Sequence, residues 1–373
     1  MSDAPIAERE SSSTEKIAEA FGKTTDPLAE FESKFEEIDV DPFVPFIENV
    51  LLSKDLNSAT RRNYRSVYAD WREHMEREDR HPACPSDQHV VRFIEWQLSP
   101  DAKDNHPRTV KGKLRKLNRA YRFWQDSAGF PHPQDYNPFT LARDKVNLEV
   151  PDGKKHRRIS IDELQEMVRG VTHLRNRAII CFQFKLGLRA GEVSNIKLSD
   201  IAMENSEIQS HYPELGSEDR LADRENVIYI PPGDERPRNK SGRARMLPLD
   251  GELRRLLARY LLIRPENDEP WLFLSETSHS KMDHKAINSV WKKELHPEYA
   301  ETEEYRPITS HFGRHRFSTW WRVEQDVNRE LVKYMRGDSV EKGSMEEPID
   351  SYLHTYYEDI EDLYRENIYR VGL

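Results

Sequence analysis

Cysteine is nearly absent: Cys84 and Cys181 are the only two in 373 residues. They are too few for a disulfide framework or a multi-cysteine zinc site. No apolar run approaches the roughly 18 residues that a membrane span requires. Residues 1–10 carry neither the basic n-region nor the apolar h-region of a secretory leader. The chain therefore reads as soluble and cytoplasmic. Also missing are GxxxxGK(S/T), HExxH, CxxC and GxSxG, so the usual local signs of nucleotide binding, zinc hydrolysis and serine acylation are lacking. Hydrophobic residues make up only 36% and charged residues 33%. A chain of this length still buries a sizeable core and is expected to divide into two or three domains.

The net charge of −10 argues at first against a nucleic-acid partner. Its distribution reverses the argument. Residues 1–50 hold 13 Asp/Glu against 4 Lys/Arg, and residues 51–158 hold 22 Lys/Arg against 15 Asp/Glu. From Glu341 to the last residue the balance is −6. A basic block thus lies between acidic ends, and arginine, whose planar fork suits phosphate oxygens, outnumbers lysine 37 to 20.

Residues 1–41 are polar and acidic, with too little apolar surface to offset the entropy of ordering, and read as a mostly disordered tail. Leu28, Phe31 and Phe35 have the spacing of a short helix over 27–38. Residues 42–150 read as a helical domain. Ser58 is a candidate N-cap for a helix with Tyr64, Val67, Trp71 and Met75 on one face. A later helix places Val110, Leu114, Leu117 and Tyr121 on its apolar face. Around the rest run Arg108, Lys111, Lys113, Arg115, Lys116, Arg119 and Arg122, a candidate DNA-binding surface. Residues 151–158 are basic and turn-rich and read as a linker. Ser160 and Glu163 then form a capping box that opens a second domain over 159–373. Helical patterns follow at 176–186, 190–196 and 253–262, with β-type runs at 227–230 and 245–249 and a polar loop insertion over 202–225. The predicted fold class is mainly α with a small β-sheet.

Four pieces of the second domain carry chemistry. Gly187 breaks a buried helix and sets Arg189 at the turn before the next, with Glu192 placed to pair with it or with the backbone. Lys240 lies on the turn between the two β-type runs. His311, Arg314 and His315 share one helical face; an arginine between two histidines fits an anion better than a metal cation. Tyr352, Tyr356 and Tyr357 follow, and a tyrosine can act as a covalent nucleophile when cations hold the phosphate it attacks.

In this order the segments GLRAGE, NKSGRARMLPL, HFGRH and DSYLHTYYEDIEDLY resemble the boxes of the tyrosine recombinase, or phage-type integrase, family. The resemblance covers residues 159–373, and the helical domain before it looks like that family's SAM-like core-binding domain, beside an α+β catalytic domain. It implies a site-specific recombinase that cuts and rejoins double-stranded DNA through a 3′-phosphotyrosyl intermediate, without metal or other cofactor. Tyr352 would be the nucleophile, Arg189 and Arg314 the clamp on the non-bridging oxygens, Lys240 the donor to the departing 5′-oxygen and His311 an aid to proton transfer. His315 matches a position that supports the fold. The apolar residues Leu363, Ile368 and Val371 match tails that dock on a neighbouring protomer, which implies tetramers on DNA. There is one departure. Gly337 is followed by Asp338, where the family usually has histidine or tryptophan, so Asp338 is the candidate replacement at that position. Tyr356 is the alternative nucleophile. The rival readings are a catalytically decayed DNA-binding protein of the same fold and a metal-dependent nuclease.

Overall fold

The computed structural model describes residues 13–38, 40–53, 56, 58–146, 148–296, 298–338 and 356–373. The chain divides into two units at Gly153/Lys154. Among the described residues no helix is long and apolar enough to cross a membrane.

The first unit is helical: α1 (Ser13–Ala20), α2 (Glu32–Ile38), α3 (Phe43–Phe46), α4 (Ser58–Arg77), α5 (Asp87–Leu98), α6 (Pro107–Asp126) and α7 (Pro138–Lys145). Aromatic rings fill its core. Phe43 stacks on Tyr68 at 4.1 Å, and the Trp124 indole donates to the Pro42 carbonyl at 2.9 Å. Ser86 and His89 cap α5 reciprocally. The disorder expected up to residue 41 is corrected over 26–38. Leu28 is fully buried, Phe31 and Phe35 pack on the same core, and Arg80 pairs with Asp26 at 2.9 Å and Glu32 at 3.1 Å. Arg80, distant in sequence, thus ties two of the stretch's carboxylates to the core. Residues 1–12 lie outside the described residues.

The second unit is built around α9 (Leu174–Leu186), which is buried on nearly every side and so forms the centre of its core. α8 (Ile161–Gly170) precedes it, with the Ser160 hydroxyl accepting from the Glu163 N–H as the capping pattern requires. After it come α10 (Ala190–Ser194), β1 (Ile201–Ala202), α11 (Ser206–His211), β2 (Val227–Ile230), β3 (Arg245–Pro248), α12 (Gly251–Leu261), α13 (His284–Leu295), α14 (Ser310–Thr319), α15 (Arg329–Arg336) and α16 (Glu358–Asn367). The strands form an antiparallel sheet in the order β1-β2-β3, with Ile201 opposite Ile228 and Ile230 opposite Arg245. The mainly α class with a small sheet is thus borne out, and β1 is a strand that periodicity did not reveal. The insertion over 202–225 contains α11 and is anchored in the core by Ile208, Leu215 and Leu221.

Two further expectations change. Residues 154–158 of the predicted linker are pinned to the second unit. Lys155 exchanges backbone hydrogen bonds with Glu304 and Arg306, while Lys154 pairs with Glu301 at 2.8 Å. The carboxyl-terminal tail docks on its own chain. Ile360, Tyr364, Tyr369 and Val371 are buried, and the Glu252 carboxylate accepts from the backbone N–H groups of Val371, Gly372 and Leu373. Glu252 is in turn paired with the buried Lys185 at 2.6 Å.

Candidate active site

The site forms where α9, α10, α14 and α15 end or begin near the β2–β3 loop. Two left-handed glycines make the approach possible. Gly187 (φ +62) ends α9, and a Cβ there would meet the Phe317 ring at 2.6 Å. Gly337 (φ +63) ends α15, and a Cβ there would meet Arg245 and Ser241 atoms at under 2.5 Å. Only glycine fits either position.

Arg189 stands at the N-cap of α10. Its backbone N–H donates to Glu192 at 2.7 Å, and its Nη1 to the same carboxylate at 3.3 Å. Glu192 therefore makes both contacts that the sequence offered as alternatives. Glu192 is also held by Arg245 from β3, at 3.1 Å, both side chains having no solvent exposure. Burial pushes the Glu192 pKa up, but the Arg245, Arg314 and backbone N–H contacts outweigh it and hold the carboxyl below its ordinary value.

Arg314, from α14, is 3% exposed. Its Nη1 donates to the carbonyls of Gly187 at 2.7 Å and Arg336 at 2.9 Å. Its Nη2 donates to Asp338 Oδ1 at 2.6 Å, and Arg189 Nη2 donates to the same oxygen at 2.7 Å. Burial and the adjacent Arg189 lower the Arg314 pKa to about 9, opposed by Glu192 and Asp338, so the guanidinium keeps its charge at neutral pH. Arg336 Nε lies 3.0 Å from Asp338 Oδ2. Asp338 thus binds both of the arginines expected to clamp the phosphate.

His311 opens α14 beside these cations. Burial, then Arg314, Arg336 and Arg189, lower its pKa and favour the neutral ring. It lines a cavity of about 170 Å³ with His156, Arg157, Arg306 and His315. The His315 ring lies 4.5 Å from His311 and 5.1 Å from His156, and burial lowers its pKa to about 4. Lys240 is exposed on the 231–244 loop between β2 and β3 and has no side-chain partner among the described residues. Its neighbours fix that loop: Asn239 accepts from Asn195 at 2.8 Å, and the Ser241 hydroxyl donates to the Gly337 carbonyl at 3.0 Å. Arg245 lies inside the NKSGRARMLPL segment but was given no role there, and Arg336 lies in none of the four segments, so the roles of both were missed.

Tyr352 lies outside the described residues. Of the tyrosines that follow, Tyr357 is buried against Arg224 and Arg365, Tyr364 donates to the Lys185 carbonyl and Tyr369 to the Phe184 carbonyl. Burial raises the pKa of all three. Tyr356 is exposed. Among the described residues no group of three or more His, Cys, Asp or Glu is placed to hold a metal ion.

On α6 the seven cations separate. Arg108, Lys111, Arg115 and Arg122 are exposed, lie on one helical face and have no ion-pair partner among the described residues. Lys113 is corrected: it turns to the apolar side and pairs with Asp70 at 2.6 Å, with 14% of its side chain exposed. Arg119 bonds the Tyr64 hydroxyl at 2.8 Å, and Lys116 packs over the Tyr64 ring.

A family model described as the phage integrase family matches residues 157–338. The tyrosine recombinase XerA of Pyrococcus horikoshii is 24% identical over 254 residues, covering 67% of this chain and 76% of that relative. Among solved structures, the Tn1549 transposon integrase in complex with transposon right end DNA superposes with a TM-score of 0.59 at 14% identity, over 85% of this chain and 95% of that one. A lambda integrase tetramer bound to a Holliday junction gives 0.58 at 14% identity, over 89% and 88%. At these identities the superpositions establish the fold.

Proposed function

The chain belongs to the phage integrase family of tyrosine recombinases, and from that premise we propose that it cuts and rejoins double-stranded DNA at Arg189, Lys240, His311, Arg314 and Tyr352. The observation that carries this reading is the convergence of Arg189 and Arg314 on one anionic oxygen. Two fixed guanidinium groups that share an acceptor are already arranged for the non-bridging oxygens of a phosphodiester. Each is worth on the order of 3 kcal/mol once charge builds at phosphorus.

Tyr352 attacks the scissile phosphate, forms a 3′-phosphotyrosyl bond and expels the 5′-oxygen. Lys240, exposed on a loop tied to the site on both sides, gives that oxygen its proton. His311, kept neutral by burial and its cationic neighbours, accepts the tyrosine proton. Attack by a 5′-hydroxyl reverses the bonds and restores the tyrosine, so one phosphodiester replaces another without an external energy source. Residues 159–373 carry this chemistry. Residues 42–150 hold DNA through the exposed face of α6, where phosphate contacts fix the position. Exchange between two duplexes needs four strand cleavages and each chain supplies one nucleophile, so the working assembly is a tetramer on DNA, acting in the cytoplasm.

The test is covalent trapping on a pool of nicked duplexes of randomised sequence, in excess EDTA. The expected result is a protein–DNA adduct that survives denaturation. No adduct from the pool contradicts the enzyme reading, and cleavage abolished by EDTA favours a metal-dependent nuclease.

A further inference from the structure

The two clamp arginines do not stand alone, and the group they hold is a carboxylate where the family pattern has histidine or tryptophan. Asp338 accepts from Arg189 at 2.7 Å and from Arg314 at 2.6 Å through the same oxygen, Oδ1. Its second oxygen lies 3.0 Å from Arg336 Nε. That Nε is buried, yet its N–H makes no hydrogen bond among the described residues, because it is not aimed along the Nε–Oδ2 line. The donor is paired in charge but not in hydrogen-bond geometry, so an acceptor set in line with its N–H would hold it better. A carboxylate presents two oxygens in one plane, whereas a phosphate or sulfate presents oxygens at the corners of a tetrahedron.

We propose that Arg189, Arg314 and Arg336 form a three-arginine phosphate site, and that Asp338 holds the place of a phosphate oxygen until an anion displaces it. Arg336 then supplies the third donor that Asp338 cannot supply. This rests on the reading above that Arg189 and Arg314 bind the scissile phosphate. The depth of the groups agrees: Arg314 is 3% exposed at the floor, while Asp338, Arg189 and Arg336 reach the open side at 27%, 26% and 32%, so an anion has a path to the cluster. So does the charge. Glu192 is committed to Arg245 and Arg189, which leaves one carboxylate facing three guanidinium groups and a net positive field once that carboxylate swings out. The arginines do not depend on Asp338 alone for their posture. Arg314 is fixed by two backbone carbonyls and Arg189 by Glu192, so both stay in place when the acceptor changes.

Inorganic sulfate is the probe, titrated calorimetrically into the full-length protein. Asp338→Asn is expected to bind sulfate at least tenfold more tightly than the wild type, and Arg336→Gln in that background to give back at least fivefold. Asp338→Ser, a smaller neutral group, serves if the Asn variant does not fold. Arg336→Gln alone is expected to weaken sulfate binding at least threefold with an unchanged circular dichroism spectrum, which a purely structural arginine would not do. Equal sulfate affinity in wild type and the Asp338 variants overturns the displacement, and no effect of Arg336→Gln overturns the third arginine. Sulfate binding requires no nucleophile. Failed covalent trapping therefore tests the recombinase reading and leaves this inference intact, and failed sulfate binding does the reverse.

Discussion

Arg189 and Arg314 share a single acceptor, Oδ1 of Asp338, at 2.7 and 2.6 Å, but they are held there by different means. Arg314 is locked by the carbonyls of Gly187 and Arg336 in the buried floor of the site, while Arg189 hangs from Glu192 at the start of α10 and is 26% exposed.

The difference separates catalytic from structural cost. Arg189→Lys and Arg314→Lys are each expected to lower the rate of adduct formation by about 10²- to 10³-fold, because lysine offers no planar fork. Arg314→Lys should also lower stability by about 1–3 kcal/mol, since buried carbonyls lose their donors. Arg189→Lys should stay within about 1 kcal/mol of the wild type. Single-turnover trapping and urea denaturation measure the two effects.

Glu192 and Arg245 form an ion pair without solvent exposure, at 3.1 Å. Arg245→Ala leaves a buried carboxylate short of its partner and is expected to destabilise the protein by about 3–5 kcal/mol. An apolar pair at both positions should recover only part of that loss, because Glu192 also holds Arg189 and Arg245 also donates to the Met335 carbonyl. The urea midpoints of the single and double variants check this.

On α6, Arg108, Lys111, Arg115 and Arg122 share the exposed face, while Lys113 is bound to Asp70. Replacing any two of the four by alanine should weaken DNA binding and reduce the slope of log affinity against log salt by about 2, roughly one for each phosphate no longer neutralised. Lys113→Ala should leave the slope unchanged and lower the melting temperature. Fluorescence anisotropy at several salt concentrations reads the first effect, and thermal denaturation the second.

His132 is packed among Phe35, Tyr121, Trp124 and Phe130, and burial lowers its pKa from 6.5 to about 4. The unfolded chain therefore binds a proton that the folded chain refuses between these values. The stability this ring contributes is complete above pH 6.5 and is lost as the pH falls toward 4. The share lost between pH 7 and pH 5 is about 2 kcal/mol. His132→Gln should remove that share of the acid sensitivity, as read from urea denaturation at the two pH values.

Much of this was legible because local chemistry and local structure coincided. Ser160 caps α8 as its spacing requires, β2 and β3 fall on their apolar runs, Arg189 and Asp338 follow the helix ends that Gly187 and Gly337 mark, and Arg314 shares a helical face with His311. Arg245 and Arg336 were not legible, since their roles arise only when β3 and α15 reach α10 and α14 through the fold. Lys113 was readable and missed. It lies three residues after Val110 and four before Leu117, on the buried side of α6. Over 26–38 the short helix was legible from Leu28, Phe31 and Phe35, but its docking was not, because two of its carboxylates are held by Arg80, some fifty residues away.

The central claim is that the nucleophile is Tyr352, held against a phosphate by Arg189 and Arg314. Trypsin releases Tyr352 and Tyr356 together in one peptide, residues 343–365, so the trapped adduct must be fragmented within that peptide by mass spectrometry. The account predicts the nucleotide mass on Tyr352 and its absence in Tyr352→Phe. A modified Tyr356, or an adduct that persists in Tyr352→Phe, would contradict it.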